Sequence, residues 1–203
     1  MAEHSSMHSY LNWTKQRLDE MDATLASLEA KASEVKADSK AKAEQLIADL
    51  KKRRAEFQSI AKAQAQAGEA AWAAAKARLD SQWSSFEAQV KTYFETVGKQ
   101  IEQQQWAFRN IASAQAKAWR EAADKLHDAA LKMAAEQRAT VEAAAKQMRA
   151  DAAEADARLQ KLKQAGNESW TALSAALAQS RDAFDKANQK AWDAYKRASA
   201  AKS

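Results

Sequence analysis

The histidines are the residues of this chain whose type and spacing could bind a metal. His4 and His8 are four residues apart, which would place both on one face of a helical N-terminus. Removal of Met1 would also leave Ala2-Glu3-His4, whose terminal amine, two amides and imidazole could hold Cu(II) or Ni(II) in a square plane. Because such N-termini arise by chance, and because His127 is typical of a helix surface, we predict no metal site and no cofactor.

No catalytic constellation is visible in the sequence. The chain has no cysteine, no proline and only 3 glycines, so it lacks a thiol nucleophile and a glycine-rich phosphate loop. Its serines and acidic residues are spread along the chain without an orienting partner. We predict that the protein is not an enzyme and has no small-molecule substrate.

The composition predicts an all-α protein. The 203 residues are rich in Ala, Lys, Glu, Gln, Arg and Leu, the strongest helix formers, and nothing supplies the turns that a sheet needs. No apolar run reaches the roughly 18 residues of a membrane-spanning helix, and the N-terminal segment lacks the apolar stretch of a secretion signal. With cysteine absent as well, we expect a cytoplasmic protein.

The net charge of +5 is unevenly distributed. Residues 1–98 are neutral, whereas residues 99–203 contain 18 basic and 13 acidic side chains. The basic residues are spread along the polar faces of the helices and are not gathered into a patch. Nucleic-acid binding through this half is therefore the third functional option.

A tandem duplication is indicated by a repeat at an offset of 98 residues. QAGEAAW at 66–72 recurs as QAGNESW at 164–170, and the same offset aligns Val35 with Met133 and Phe86 with Phe184. The copies span 1–98 and 99–203. We predict that they share one continuous coiled-coil rod and do not form two independent globules.

The glycines predict where the chain reverses. Gly68 and Gly166 follow helical patterns, and a glycine just past a helix end adopts the left-handed conformation at no steric cost. Asn167 could then cap the next helix. An apolar stripe crosses Gly98 without a phase shift, so we expect three long helices over about 9–66, 69–164 and 168–200, arranged as an elongated antiparallel coiled coil. A break near Gly98, giving a compact four-helix bundle, is the structural alternative.

Aromatic residues define a packing stripe along these helices. Trp72, Trp83 and Phe94 are eleven residues apart, a period that keeps a stripe straight along a helix. Such a stripe either packs inside the protein or lies on a lipid or granule surface. Its predicted members are Trp72, Leu79, Trp83, Phe86, Phe94, Trp106, Trp119, Trp170, Phe184, Trp192 and Tyr195.

Three positions depart from this apolar pattern. Trp106 falls on the opposite side of the central helix, which indicates a second interface, and we predict a homodimer. Arg181 and Asn188 occupy the positions that Trp83 and Val90 hold in the first copy. Single polar residues in such a stripe weaken packing but fix register and partner.

The first copy resembles a family of short bacterial coiled-coil proteins labelled stress-response proteins. The resemblance lies in the Ala/Lys/Glu-rich stretch 10–57 followed by GEAAWAAAKARLDSQWSSFE, with Gly68, Glu69, Trp72, Leu79, Trp83 and Phe86 at the shared positions. In the second copy Asn167 and Arg181 replace the acid and the second tryptophan. The amphipathic helices are also similar to phasins, the coat proteins of polyester storage granules.

These resemblances imply two functions. The first is a non-catalytic, self-associating coiled-coil rod linked to bacterial stress response. The alternative is an amphipathic-helix protein that binds a membrane or a storage granule, bending the membrane as crescent-shaped helical dimers do.

Overall fold

The computed structural model describes residues 3–67 and 71–200, which form six α-helices. Two single 3₁₀ turns, Ala32–Glu34 and Ala37–Ser39, lie between the first two helices. The prediction of an all-α protein is confirmed, whereas the prediction of three long helices is wrong. The helices are α1 (Glu3–Lys31), α2 (Lys40–Ala67), α3 (Trp72–Thr96), α4 (Ile101–Leu131), α5 (Ala135–Ala165) and α6 (Trp170–Ala200).

The first predicted helix, 9–66, is interrupted at residues 32–39. Val35 has an extended backbone, with φ −71° and ψ 139°, and its side chain is buried in the core. Lys36 is also extended, with φ −55° and ψ 144°, before the chain resumes a helical path into α2. The burial of Val35 anchors a reversal that contains no glycine or proline.

The central predicted helix, 69–164, is broken twice. The first break, 97–100, contains Gly98, where an added Cβ would lie 2.8 Å from Tyr93 Cε1 and 2.9 Å from Phe94 Cδ1. Both rings are buried, so Gly98 is required by close packing and not by a left-handed backbone. The break near Gly98 that the sequence left as the alternative is therefore present, although the chain forms six helices and not the four of a compact bundle. The continuous apolar stripe argued against it, because the phase of the stripe survives a short turn.

The second break, 132–134, contains no glycine, in contrast to the first. Ala134 is extended, with φ −64° and ψ 154°. Arg138, in the first turn of α5, donates through Nη2 to the carbonyl oxygens of Leu131 (3.2 Å) and Met133 (3.3 Å). A side chain from the next helix therefore satisfies carbonyls that the end of α4 leaves free.

Gly166 ends α5 as predicted. Its φ of 73° is left-handed, and the structure describes no other residue with positive φ. The cap of α6 is not Asn167 but Ser169, whose Oγ accepts from the backbone N–H of Ala172 at 3.5 Å. The other predicted reversal, at Gly68, lies outside the described residues.

Helix boundaries repeat at the offset seen in the sequence. α1 begins at Glu3 and α4 at Ile101, 98 positions later. α3 and α6 begin at Trp72 and Trp170, again 98 apart. Each half of the chain therefore contains three helices of the same order and nearly the same length.

The two halves pack together through α1 and α4, which run antiparallel. Asn110 Nδ2 donates to Ser27 Oγ at 2.9 Å, and Lys125 Nζ donates to Asn12 Oδ1 at 3.4 Å. Adding 98 to Asn12 and Ser27 gives Asn110 and Lys125, so each contact becomes the other when the halves are exchanged. The halves are thus related by an approximate two-fold axis.

The halves differ in how their third helix packs. α4, α5 and α6 all contact one another, which makes the second half a three-helix bundle. α6 also packs on α1 of the other half, whereas α3 packs mainly on α2. Within each half, the third helix also differs: the backbone of α6 lies close to α4, but the backbone of α3 stays farther from α1. As a result, α1 is surrounded by α2, α4 and α6.

One face of α1 is apolar and packs into the larger core cluster. It carries Tyr10, Trp13, Met21, Leu25 and Leu28, all buried with residues of α2 and α3. Burial of side chains of this size stabilises the fold by about 1.5–3 kcal/mol each. A second cluster lies at the other end of α4 and is built around Trp119, Phe184 and Trp192.

We predict that replacement by alanine and by asparagine affects the free energy of unfolding in opposite order at Gly98 and at Gly166. Gly98→Ala should cost about 1–3 kcal/mol of unfolding free energy through overpacking, and Gly98→Asn should cost more because it is larger. Gly166→Ala should cost about 1–2 kcal/mol through its left-handed backbone, and Gly166→Asn should cost less because asparagine tolerates that conformation. Urea unfolding of the four variants measures this order. The same order at both positions would contradict the assignment.

We predict that the buried Tyr10 makes the free energy of unfolding fall at alkaline pH. Its hydroxyl donates to the carbonyl of Ala61 at 2.9 Å, and burial raises the pKa of Tyr10 to about 12. Between pH 10 and 12 the unfolded chain loses this proton and the native chain keeps it, so stability falls as pH rises. Tyr10→Phe should therefore reduce the slope of unfolding free energy against pH by about 1.4 kcal/mol per pH unit in that window.

Tyr93→Phe provides the matched comparison. Burial also raises the pKa of Tyr93, so this variant should reduce the alkaline slope as well. The Tyr93 hydroxyl has no hydrogen-bond partner in the described part of the chain, so at neutral pH its removal should cost less than that of the Tyr10 hydroxyl. An unchanged slope in Tyr10→Phe would rule out this account.

Candidate functional site

The second face of α1 is polar and buried. Its side chains recur every three or four residues, they are each at most 8 % exposed, and they face α4 and α6. This polar seam went unnoticed in the sequence, although its helical spacing on the side of α1 next to the apolar face was a usable signal. Its members are Ser9, Asn12, Gln16, Glu20, Thr24 and Ser27.

An ion-pair cluster joins the middle of this seam to α6. Arg17 makes a bidentate pair with Asp185, with both nitrogen–oxygen distances 2.7 Å. One turn away, Arg181 Nη1 donates to Glu20 Oε2 at 2.8 Å, and Arg181 Nη2 donates to Glu87 of α3. Each of the antiparallel helices α1 and α6 thus supplies one acid and one base. We call these five residues the clasp.

Trp83 lies beside both arginines of the clasp. The guanidinium carbon of Arg181 is 4.9 Å from the centre of the indole ring, and that of Arg17 is 5.8 Å away. The aromatic ring therefore adds cation–π attraction to the ion pairs. Trp83 and Arg181 are equivalent positions of the two sequence copies, and they meet here.

The charge state of Glu20 depends on its arginine neighbours. Burial raises the pKa of Glu20, and the positive charges of Arg181 and Arg17 oppose that rise. Burial alone would lower the pKa of Arg181, but Glu20 and Glu87 outweigh it and hold the value above its usual range. Removing one partner would leave a charge in an environment that disfavours it.

Amide hydrogen bonds extend the contact toward the N-terminus of α1. Asn12 Nδ2 donates to Asn188 Oδ1 at 3.2 Å, and Asn188 Nδ2 donates to the backbone oxygen of Ser9 at 2.8 Å. Arg181 and Asn188, the polar residues of the predicted stripe, therefore both bind α1 of the same chain. Because their partners are unique, they fix the register of α6 against α1.

A groove opens beside the clasp, between α3 and α6. Its volume is about 330 Å³, and α1 and α4 form its floor. The groove exists because α3 stands away from α1, with the large Trp83 ring between them. The lining combines apolar and charged side chains, chiefly Trp83, Phe86, Glu87, Val90 and Lys91 of α3, Trp170, Leu177 and Arg181 of α6, Glu20 of α1 and Ile111 of α4.

Most of the predicted aromatic stripe is internal. Trp72 is partly buried against Tyr10, with ring centres 4.0 Å apart, and Tyr195 is partly buried beside Trp192. Trp106 is the exception, with 44 % of its surface exposed. The buried members are Leu79, Trp83, Phe86, Phe94, Trp119, Trp170, Phe184 and Trp192.

The histidines do not form a site with other metal ligands in the described structure. His8 is exposed and stacks on Trp192, with ring centres 4.6 Å apart and an interplanar angle of 16°. Within residues 3–67 and 71–200, no group of three or more His, Cys, Asp or Glu side chains is placed to hold a metal ion. The side chain of His4 lies outside the described part. In the same ranges, every helix falls short of the length and apolarity needed to cross a bilayer.

No protein-family model, curated protein or solved structure matches this chain. Its function is therefore argued from the clasp, the groove and the exposed surface.

The clasp predicts strong coupling between Glu20 and Arg181. Arg181→Met should cost about 3–5 kcal/mol of unfolding free energy, because it leaves the Glu20 carboxylate buried with one ion-pair partner fewer. The double variant Glu20→Gln/Arg181→Met should be more stable than the sum of the single losses by about 1–3 kcal/mol. The loss in Arg181→Met should shrink as pH falls, because protonation removes the uncompensated charge.

An exposed ion pair provides the control. The side chains of Arg158 and Glu154 are 68 % and 66 % exposed. Arg158→Met should therefore change stability by less than about 0.5 kcal/mol. Additive losses in the Glu20 and Arg181 variants, measured by denaturant unfolding, would show that the clasp is not a coupled unit.

Proposed function

We propose that this chain is a non-catalytic interaction protein that pairs with a second copy through the face of α4 around Trp106. The observation that carries the proposal is the division of the aromatic residues. The stripe is used inside the chain, and Trp106 is the one tryptophan of the described structure left largely exposed. Tryptophan is among the residue types most enriched at the energetic centres of protein interfaces, so its exposure on α4 supports an interaction surface there.

The residues around Trp106 are self-complementary. Glu102, Trp106 and Arg109 lie at helical spacing on one exposed face of α4 and line a shallow surface pocket together. If two copies cross antiparallel at Trp106, Glu102 of one copy faces Arg109 of the other. A two-fold dimer requires a surface that complements itself in this way.

Lys31 borders the same surface. Its Nζ lies 5.7 Å from the centre of the Trp106 ring and also pairs with Glu34 at 2.6 Å. This exposed cation–π contact favours the observed orientation of the indole by about 0.5–1 kcal/mol. A ring that is oriented before binding loses less conformational entropy when a partner covers it.

Surface binding to a membrane or a storage granule is supported less well. That function needs a continuous apolar stripe facing outward, and the stripe of this chain faces its own core. The exposed large apolar residues described, Leu11, Ile101, Trp106 and Leu131, are separate side chains and do not form a stripe.

The proposal predicts a dimer that forms without lipid and depends on Trp106. Light scattering after size-exclusion chromatography should give about twice the 22.4 kDa chain mass. Trp106→Gln should shift the protein to monomer while circular dichroism keeps its helix signal. Leu131→Gln, which changes an equally exposed residue at the other end of α4, should leave the dimer intact.

Charge reversal sharpens this test. Glu102→Lys and Arg109→Glu should each weaken the dimer, and the double variant should restore it, because the facing charges are again opposite. A monomeric wild-type protein, or one that becomes folded only when liposomes or granules are added, would overturn the proposal. Binding to DNA that weakens steeply with added salt would favour nucleic acid as the partner.

The proposed link to bacterial stress response and the proposed cytoplasmic location rest on the sequence alone. Protein abundance measured before and after heat or envelope stress tests the first, and cell fractionation tests the second.

A further inference from the structure

The groove between α3 and α6 has apolar walls that the core of the protein holds in place. The walls come from Phe86 and Val90 of α3, Trp170 and Leu177 of α6 and Ile111 of α4. Each of these side chains is at most 8 % exposed, so the groove is formed before anything binds in it. The groove is also separate from the dimer surface proposed above, since none of the residues that define that surface lines it.

The width of the groove follows from residues that the two sequence copies do not share. α6 lies close to α4, whereas α3 stays farther from α1. At the offset of 98, Ala118 and Ala122 of α4 correspond to Glu20 and Thr24 of α1, which line the groove. Small side chains let two helices approach each other, and larger ones hold them apart. The space is therefore specified by the sequence of α1.

The charges of the lining do not favour an ionic ligand. The lining has two acids and two bases, Glu20 and Glu87 against Arg181 and Lys91. Arg181 pairs with both acids, and Lys91 Nζ lies 3.6 Å from Glu95. An ion that entered the groove would lose hydration without meeting a free counter-charge.

Two hydroxyl groups beside the apolar walls are also used within the chain. Thr24 Oγ1 donates to the carbonyl oxygen of Glu20 at 2.7 Å, and Ser174 Oγ donates to that of Thr171 at 3.1 Å. Their hydrogens are therefore not available to a ligand. What the groove offers is apolar surface, and removing such surface from water is favourable.

We propose that this groove binds an uncharged, compact apolar molecule. Since an apolar cavity of about 150 Å³ holds benzene, the groove volume of about 330 Å³ suits a molecule of about two fused rings. The body of the molecule lies against Phe86, Val90 and Leu177. The site does not depend on the proposed dimer.

Three naphthalene probes of similar size test the preference for an uncharged ligand. They are 2-naphthalenemethanol, the anion 2-naphthoate and the cation 2-naphthylmethylammonium. Isothermal titration at about 0.15 M salt, which screens the net charge of +5, should show the alcohol binding about fivefold or more tighter than either ion. Equal or tighter binding of either ion, or no binding of the alcohol, would overturn the proposal.

Substitutions locate the site. Ala178→Phe adds a ring inside the groove and should weaken binding of 2-naphthalenemethanol about tenfold or more. Ala77→Phe adds the same ring to an exposed position of α3 outside the groove and should leave the affinity within about twofold. Lys91→Gln should also leave it within about twofold, because the ligand is uncharged.

A smaller change keeps the test valid if Ala178→Phe does not fold. Val90→Ala removes apolar contact without blocking the groove and should weaken binding about threefold. Circular dichroism and light scattering confirm that each variant keeps its fold and mass. Unchanged affinity in Val90→Ala and in a folded Ala178→Phe would place the ligand elsewhere and refute the assignment.

Trp106→Gln separates this site from the dimer. The variant should bind 2-naphthalenemethanol as tightly as the wild-type protein, whether or not it is monomeric. Loss of binding in Trp106→Gln would show that the probe uses the exposed face of α4, and it would overturn the assignment to the groove.

Discussion

Burial of α1 on both of its faces is the constraint on which the rest of the structure depends. The apolar face is satisfied by α2 and α3, as in any amphipathic helix. The other face carries Glu20, and Arg17 is buried close by; burial of these two charges is tolerable only when opposite charges meet them with good geometry. Asp185 and Arg181 of α6 meet that requirement, one turn apart on an antiparallel helix. The position of α6 is therefore set by charge pairing.

The clasp also explains why two similar halves pack differently. At the offset of 98, Arg17 and Glu20 correspond to Gln115 and Ala118, and Arg181 corresponds to Trp83. The ion pairs can therefore form on only one side of the approximate two-fold axis. On that side α6 packs closely on α1, whereas α3 has no such partner on α4. The groove between α3 and α6 lies where α3 stands away from both α1 and α4.

Sequence reasoning succeeded where a local rule decides the structure. Helix-forming composition fixes the fold class, and the left-handed turn at Gly166 follows from the lack of a Cβ. It failed at residues 32–39 and 132–134, where no glycine or proline stands. Those breaks are settled by tertiary contacts, the burial of Val35 in one case and the Arg138 hydrogen bonds in the other. In a chain of strong helix formers, such contacts have no local signature.

The polar seam could be found from spacing, but its partner could not. The sequence showed that Arg181 and Asn188 interrupt the stripe, and it indicated that such residues choose a partner. Which helix that partner belongs to depends on the topology, and the topology depended on breaks that were missed. When alanine-rich helices shift along one another, they lose little apolar contact. The ion pairs and asparagine hydrogen bonds between α1 and α6 therefore distinguish the observed register from a shifted one.

The inner face of α6 packs on α1, and its polar residues Arg181 and Asn188 find their hydrogen-bond partners there. To turn the stripe toward a lipid surface, α6 would have to leave α1 and break the pair between Arg181 and Glu20. A helix on such a surface lies at the headgroup boundary, where an arginine can keep its charge in water, so the main cost is the buried Glu20 left on α1 without this partner. The aromatic stripe and the charges within it thus form one surface, which α1 of this chain complements. We propose that contacts with a second copy fall to a face that α1 does not cover, the face of α4 around Trp106.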